Sequence, residues 1–402
     1  MRHLIRELAT QYPIARLLNA WATLTEELLH EALTIQAIPA PTFEELARAE
    51  YVRSRMSGLG VQDVEQDEVG NVYARTPGID PARPAVLVSA HLDTIFPADS
   101  DLTTFHAKEE ERIYGPGLGD NSLGVAALIT LAGQLRQQGI DPAADIWWVA
   151  TVCEEGLGDL QGMRRAFQRL RERCGVAVIL EGIGLGRIYN AGLGVRRLRI
   201  TVKGPGGHSW LHAERPSAIH HLLRLGSALV DEIRPPANPR SSFNIGLIEG
   251  GTSINTRAPE ASLSIDLRSV SAATLAALES QINETVGRFS RTPGLDISSQ
   301  VIGDRPSAAL SPAHPLVQAS QAVLEYVGYP TSALETGSTD ANIPLAGGMP
   351  AVCIGLTTGG NAHSTGEFID TVPLTAGMRQ LTLLTLLAAE HSAEWRQWEG
   401  SP

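Results

Sequence analysis

The sequence predicts an α/β protein: a mixed, mostly parallel sheet flanked by helices, with a smaller α+β module inserted into it. Three observations predict it. Short apolar runs alternate with helical stretches over residues 24–180. From Val195 the texture changes to strands in which polar and apolar residues alternate. Beyond residue 305 the first texture returns. A chain of 402 residues exceeds one ordinary core. The expected division is therefore residues 1–194 and 305–402 for the larger domain and 195–304 for the insert.

The elements follow in order. Leu24, Leu28, Leu29 and Leu33 recur at helical spacing over residues 24–36. Pro39 and Pro41 interrupt the chain, and a helix is expected from Phe43 to Leu59, ending at Gly60. Residues 85–89, 146–152 and 176–180 are apolar runs that read as buried strands, with a helix from about Leu123 to Gln137 between the first two. Strands alternating with helices imply parallel pairing. In the insert, a strand at 197–202 precedes a helix at 217–233 and strands at 242–248 and 261–267. A helix at 272–289 and a strand at 295–301 complete a β-α-β-β-α-β order, the split βαβ pattern of a ferredoxin-like module. Asp304-Arg305-Pro306 through Pro315 reads as the return linker.

Composition narrows the partners. A formal net charge of −12 argues against nucleic acid or an anionic membrane as the main partner, since both need a basic face. Cys153, Cys174 and Cys353 are too few and odd in number for a disulfide framework, which fits a reducing compartment. The opening residues carry charge and no long apolar run, so neither a signal peptide nor an anchor is expected, and the expected location is cytoplasmic.

Five separated sites carry residues suited to chemistry, and four of them fall just beyond a predicted strand, where open α/β sheets bind ligands. His91-Leu92-Asp93 suits a metal-ligating imidazole held by a nearby carboxylate, with a polar turn as the alternative. Gly115-Pro116-Gly117-Leu118-Gly119-Asp120-Asn121-Ser122 is a glycine-rich loop whose Asp120, taken alone, reads first as a helix N-cap and only second as a ligand. Glu154 and Glu155 place two carboxylates at a strand end, a costly arrangement unless a cation or proton lies between them; a solvated loop is the alternative. Glu181 and His363 follow two further runs, and each alone reads as structural. Jointly these residues could ligate two ions and leave one proton carrier. Mixed nitrogen and oxygen donors suit zinc, with cobalt or manganese as alternatives, better than calcium. Two cations sharing Asp120 would polarise a carbonyl and acidify a trapped water.

These motifs together resemble the M20 metallopeptidase family, along nearly the whole chain from Ile38-Pro39-Ala40-Pro41 onward: His91-Leu92-Asp93-Thr94, Gly119-Asp120, Glu154-Glu155-Gly156 and Ala362-His363-Ser364. The resemblance implies a zinc-exopeptidase-like sheet with a lid, or dimerisation, domain. By position it pairs His91, Asp120 and Glu181 on one ion and Asp120, Glu155 and His363 on the other. Glu154 resembles the general base, and Asp93 the carboxylate that orients His91. In Gly206-Gly207-His208-Ser209, His208 resembles the lid histidine that reaches the partner subunit's site and steadies the oxyanion. Asn255 and Arg268 resemble substrate contacts, with lid packing as the alternative for both. Residues 338–342 resemble the peptidase T-like branch, whereas a glutamate at 181 is commoner in deacylases and carboxypeptidases than in aminopeptidases.

The implied activity is two-metal hydrolysis of an amide or peptide bond in a small peptide or N-acyl amino acid, by a cytoplasmic homodimer. An N-carbamoyl amino acid amidohydrolase and a non-catalytic metal-binding scaffold are the alternatives. A serine or cysteine hydrolase is disfavoured, because no Gly-x-Ser-x-Gly elbow is present and Cys153 reads as packing.

Overall fold

The computed structural model describes residues 1–107 and 111–399. The chain divides into two compact units, Met1–Gly192 with Ala309–Pro402, and Leu193–Ala308. The boundaries lie at 192/193 and 308/309, outside the expected 194/195 and 304/305, because the strands Gly194–Lys203 and Asp296–Arg305 pair with each other inside the second unit.

The first unit is built on a nine-stranded mixed sheet. Its path runs Gln62–Gln66, Val72–Thr76, Ile146–Thr151, Ala85–His91, Cys174–Ile183, Ala351–Thr357, Arg187–Gly192 and Ala308–Ala309, with Ala333–Gly337 also paired to Arg187–Gly192. The four central strands, from Ile146–Thr151 to Ala351–Thr357, are mutually parallel, so their carboxyl ends share one edge. Each is buried on both faces, which explains its unbroken apolar run. Alternate residues (Val86, Val88, Ala90; Val176, Val178, Leu180; Val352, Ile354, Leu356) join one core with the helices Tyr12–Gln36, Leu123–Gln138 and Leu374–Arg396. Among the described residues, no helix is long and apolar enough to cross a membrane.

Several elements differ from expectation. The helix read at 24–36 begins at Tyr12, because Ile14, Leu17, Leu18 and Trp21 continue the same buried stripe. The helix read from Phe43 begins only at Leu46. Phe43 has φ +79°, and its N–H is taken by the side chain of Glu45 at 3.0 Å, so this segment turns instead of coiling. The hairpin of Gln62–Gln66 and Val72–Thr76 was not anticipated; Asp67 Oδ1 accepts the N–H groups of Val69, Gly70 and Asn71 at its turn. Nor was the small antiparallel sheet of Gly359–Gly360, Phe368–Asp370, Arg112–Tyr114 and Phe105–Ala107. The third apolar run extends over Cys174–Ile183, so Glu181 lies within a strand, not beyond it.

The second unit has strands Gly194–Lys203, Ser241–Gly250, Glu260–Ser269 and Asp296–Arg305 and helices Ala218–Glu232 and Ala272–Phe289. In the antiparallel sheet the first and third of these strands are central. Leu198, Ile200, Val202, Leu263, Ile265 and Leu267 meet Leu222, Leu225, Leu229, Leu278 and Ile282 in its core. Asp304 and Arg305, read as linker, belong to the last strand, opposite Arg196 and Val195.

Candidate metal centre

The parallel strands bring the first residues together by register alone. Ser89 pairs with Ile179, so two residues later His91 and Glu181 leave adjacent strands on the same face. His91 Nε2 lies 3.6 Å from Glu181 Oε2. His91 also pairs with Thr151, the last residue of its other neighbour, and the chain beyond Thr151 delivers Glu154 and Glu155 to the same edge.

Asp120 reaches this edge from a single wide turn, Leu118–Ser122, in which it adopts extended rather than helical backbone angles. Its side chain does not cap the following helix. Its Oδ1 lies 3.1 Å from His91 Nε2 and its Oδ2 lies 3.1 Å from His363 Nε2. His363 Nε2 is also 2.8 Å from Glu155 Oε1. Two groups result, His91–Asp120–Glu181 and Asp120–Glu155–His363, in each of which one donor atom per residue lies within 4.8 Å of the others. Asp120 belongs to both.

The charges are mutually compensating. Burial opposes a charged His91, but hydrogen bonds to Asp120, Asp93 and Glu181 outweigh it and hold the imidazole well above its usual pKa. Asp120 and then Glu155 raise His363 to about 10. Asp120 is depressed although burial pushes the other way, because both imidazoles face it. Burial lifts Glu181 to about 7 against the pull of His91. A cluster of carboxylates so tightly paired with imidazoles has the donor chemistry of a divalent site, in which cations replace protons.

Buried groups hold these side chains in place. Asp93, fully buried, accepts the N–H of Glu154 at Oδ1 (2.9 Å) and the N–H of Glu155 and the hydroxyl of Thr42 at Oδ2 (both 2.9 Å). His91 Nδ1 is closer to the main-chain carbonyl of Asp93 (3.0 Å) than to its carboxylate (3.5 Å). The expected carboxylate support of His91 is thus shared with a backbone oxygen, because the Asp93 carboxylate is engaged by the next loop. Glu45 Oε1 accepts the N–H of Cys153 at 3.0 Å, completing a run of three captured amides. Burial raises the Cys153 thiol to about 12, with the Glu45 carboxylate adding to it, which disfavours the thiolate that a cysteine nucleophile needs.

Sequence reading did not find Glu45, Asn121 or Glu367. Asn121 Nδ2 donates to Leu180 O at 2.7 Å, tying the Asp120 turn to the strand of Glu181. Glu367 accepts three N–H groups from the glycine loop. Glu367 lies four residues after His363, the one signal that could have marked it; Glu45 and Asn121 stand among ordinary polar neighbours.

His208, Asn255 and Arg268 lie in the second unit. His208 pairs with Thr256 on a two-residue strand, and Ser209 N–H donates to Asn255 O at 2.9 Å, so His208 and Asn255 are neighbours. Arg268 sits at the other end of the strand Glu260–Ser269, opposite Val195, with its Nε 2.8 Å from Asp266 Oδ1.

Comparison with known proteins identifies the family. Schizosaccharomyces pombe has a peptidase M20 domain-containing protein that is 30% identical over 189 residues, 46% of this chain and 44% of that protein, so the chain spans less than half its length. N-acetyl-L-citrulline deacetylase of Xanthomonas campestris is 23% identical over 348 residues, 80% of this chain and 85% of that enzyme. The structure of a Staphylococcus aureus tripeptidase shares the fold, with a TM-score of 0.73 at 21% identity over 91% of this chain and 99% of the other. Residues 87–387, which span the strand of His91, the Asp120 turn and the His363 loop, match the pattern of a known hydrolase family, and the chain belongs to peptidase family M20/M25/M40.

Proposed function

We propose that this M20 hydrolase cuts an amide or peptide bond in a small peptide or N-acyl amino acid, using two divalent ions and Glu154 as general base. The ions are zinc, or cobalt or manganese; His91, Asp120 and Glu181 would hold one, and Asp120, Glu155 and His363 the other. The observation that carries this reading is Asp120, whose two oxygens each face a different histidine at 3.1 Å. When bound, the ions supply Lewis acidity and lower the pKa of a water toward ~7.

The chain's own groups do the rest. Glu154 is buried beside Glu155, and its carboxylate takes a proton from the attacking water and returns it to the leaving amine. Asp93 fixes that loop through two amide hydrogen bonds, so Glu154 need not be reorganised during the reaction. His208 Nδ1 accepts the N–H of Trp210 at 3.2 Å, which leaves Nε2–H as the donor of the neutral ring, suited to a developing oxyanion. In this reading the second unit is the lid through which a cytoplasmic homodimer forms, and Asn255 and Arg268 contact substrate. Glu181, rather than aspartate, favours the deacylase or carboxypeptidase branch.

The test is a substrate panel with metal-reconstituted protein: dipeptides, tripeptides, and N-acetyl, N-succinyl and N-carbamoyl amino acids, each peptide with free and blocked amine. Release of a free amino acid from at least one peptide or N-acyl substrate supports the reading. Ammonia from N-carbamoyl substrates alone would replace it with the amidohydrolase. No turnover with two ions bound would replace it with the scaffold.

A further inference from the structure

Outside the six side chains assigned to ions and proton transfer, one buried carboxylate is tied to the centre by more bonds than packing requires. Glu367 is fully buried. Its Oε1 accepts the N–H groups of Gly119 (2.6 Å) and Asp120 (2.9 Å), and its Oε2 accepts that of Gly117 (3.0 Å). Its main-chain carbonyl accepts the N–H of Gly115 at 2.9 Å. One residue thus satisfies four donors of a six-residue loop that ends in the candidate bridging aspartate.

The same residue ends the loop that carries His363. Glu367 N–H donates to Ser364 O at 3.1 Å, and Ser364 N–H donates to Asn361 O at 3.2 Å, a tight turn with His363 at its centre in left-handed backbone (φ +65°). The next residue, Phe368, enters the small sheet opposite Tyr114. Glu367 therefore joins two loops about 250 residues apart in sequence, one presenting Asp120 and the other His363.

The loop is shaped to receive this carboxylate. A Cβ at Gly117 would lie 2.8 Å from Thr94 Cγ2, and one at Gly119 would lie 2.5 Å from Ile183 Cδ1, so only glycine lets these amides turn inward together. Amides converging on one carboxylate are a strong, charge-assisted arrangement.

We propose that Glu367 is the positioning residue that sets Asp120 against His363 and so tunes the affinity of the centre for its ions. This rests on the reading of Asp120 and His363 as ligands. Loss of such a partner behind a ligand weakens metal binding about 10–100-fold. Glu367→Gln keeps the volume but turns an NH2 group toward at least one N–H, and Glu367→Ala removes every acceptor.

The experiment loads metal-free full-length protein with Co2+ and measures affinity by chelator competition, the visible absorption bands of the bound ion, and the thermal midpoint of the metal-free form. The expected result is a Glu367→Gln protein that unfolds cooperatively, binds Co2+ about 10–100-fold more weakly and shows shifted bands. Glu31→Gln breaks a buried carboxylate's contacts with Arg55 and Tyr51; it should lower the midpoint without moving Co2+ affinity or the bands. Should Glu367→Ala fail to fold, Glu367→Gln carries the comparison. Unchanged affinity and bands in Glu367→Gln, with both ions lost from Asp120→Ala, would overturn the positioning role alone. Retention of both ions by Asp120→Ala would overturn the ligand reading beneath it.

Discussion

Asp93 holds Glu154 by the backbone: its Oδ1 accepts the Glu154 N–H at 2.9 Å while its other oxygen takes the N–H of Glu155. A residue whose main chain is fixed in this way can lose its side chain without releasing the loop. The side chain of Glu154 can therefore be tested separately from the candidate ligand beside it.

Glu154→Ala should lower kcat by about 10²–10⁴-fold, the usual worth of a general base, with metal content close to that of the parent. Steady-state kinetics and elemental analysis of the same preparation check this. Near-parental turnover would remove Glu154 from the mechanism.

The two groups sharing Asp120 predict a stoichiometry. Glu181→Ala and His363→Ala should each retain about one ion, and Asp120→Ala should retain about none, because both groups need it. Adding Zn2+ to stripped parental protein should raise its thermal midpoint; binding at 100 times Kd stabilises by about 2.7 kcal/mol. Equal metal content in all three variants would count against the shared aspartate.

His208 tests action between subunits. His208→Ala should lose turnover sharply and keep its metal, since its side chain belongs to neither candidate ligand group. Mixing it with Glu154→Ala under subunit exchange should recover part of the activity if the histidine serves the partner's site. Absence of recovery in verified heterodimers would place it in its own subunit.

A separate prediction concerns stability in acid. His314 Nδ1 accepts the N–H of Leu316 at 3.1 Å as the cap of the helix Pro315–Tyr326, and Nε2 donates to Trp395 O at 3.1 Å. Burial depresses its pKa below the usual 6.5, with the Trp395 carbonyl pulling weakly the other way. The neutral form is thus favoured on folding, so its contribution is complete above pH 6.5 and disappears as pH falls through the lower folded value. His314→Asn keeps a cap that does not titrate. In urea unfolding of metal-free protein, the parent's advantage should shrink by about 0.5–2 kcal/mol, the worth of a cap, between pH 7 and pH 5. A gap that stays constant would exclude this titration.

Much of the fold was legible because burial on both faces forces an unbroken apolar run. Ala85–His91, Ile146–Thr151 and Cys174–Ile183 announce themselves that way. The split βαβ order of the second unit was legible from its alternating strands. The hairpin Gln62–Gln66 with Val72–Thr76 was not, since its edge strand is polar and partly exposed.

From its residues alone the chain determined which side chains could ligate ions, for donor type is a property of composition and local spacing. Only the tertiary structure decided how they meet. Register set Glu181 beside His91, and a left-handed turn aimed His363 at Glu155 from 208 residues away. The structure also separated Asp120 as a group facing two histidines from Asp120 as a helix cap. Glu45 and Glu367 emerged as amide acceptors for the same reason: a carboxylate's role depends on which backbone donors are buried around it, and that is settled by packing between distant segments.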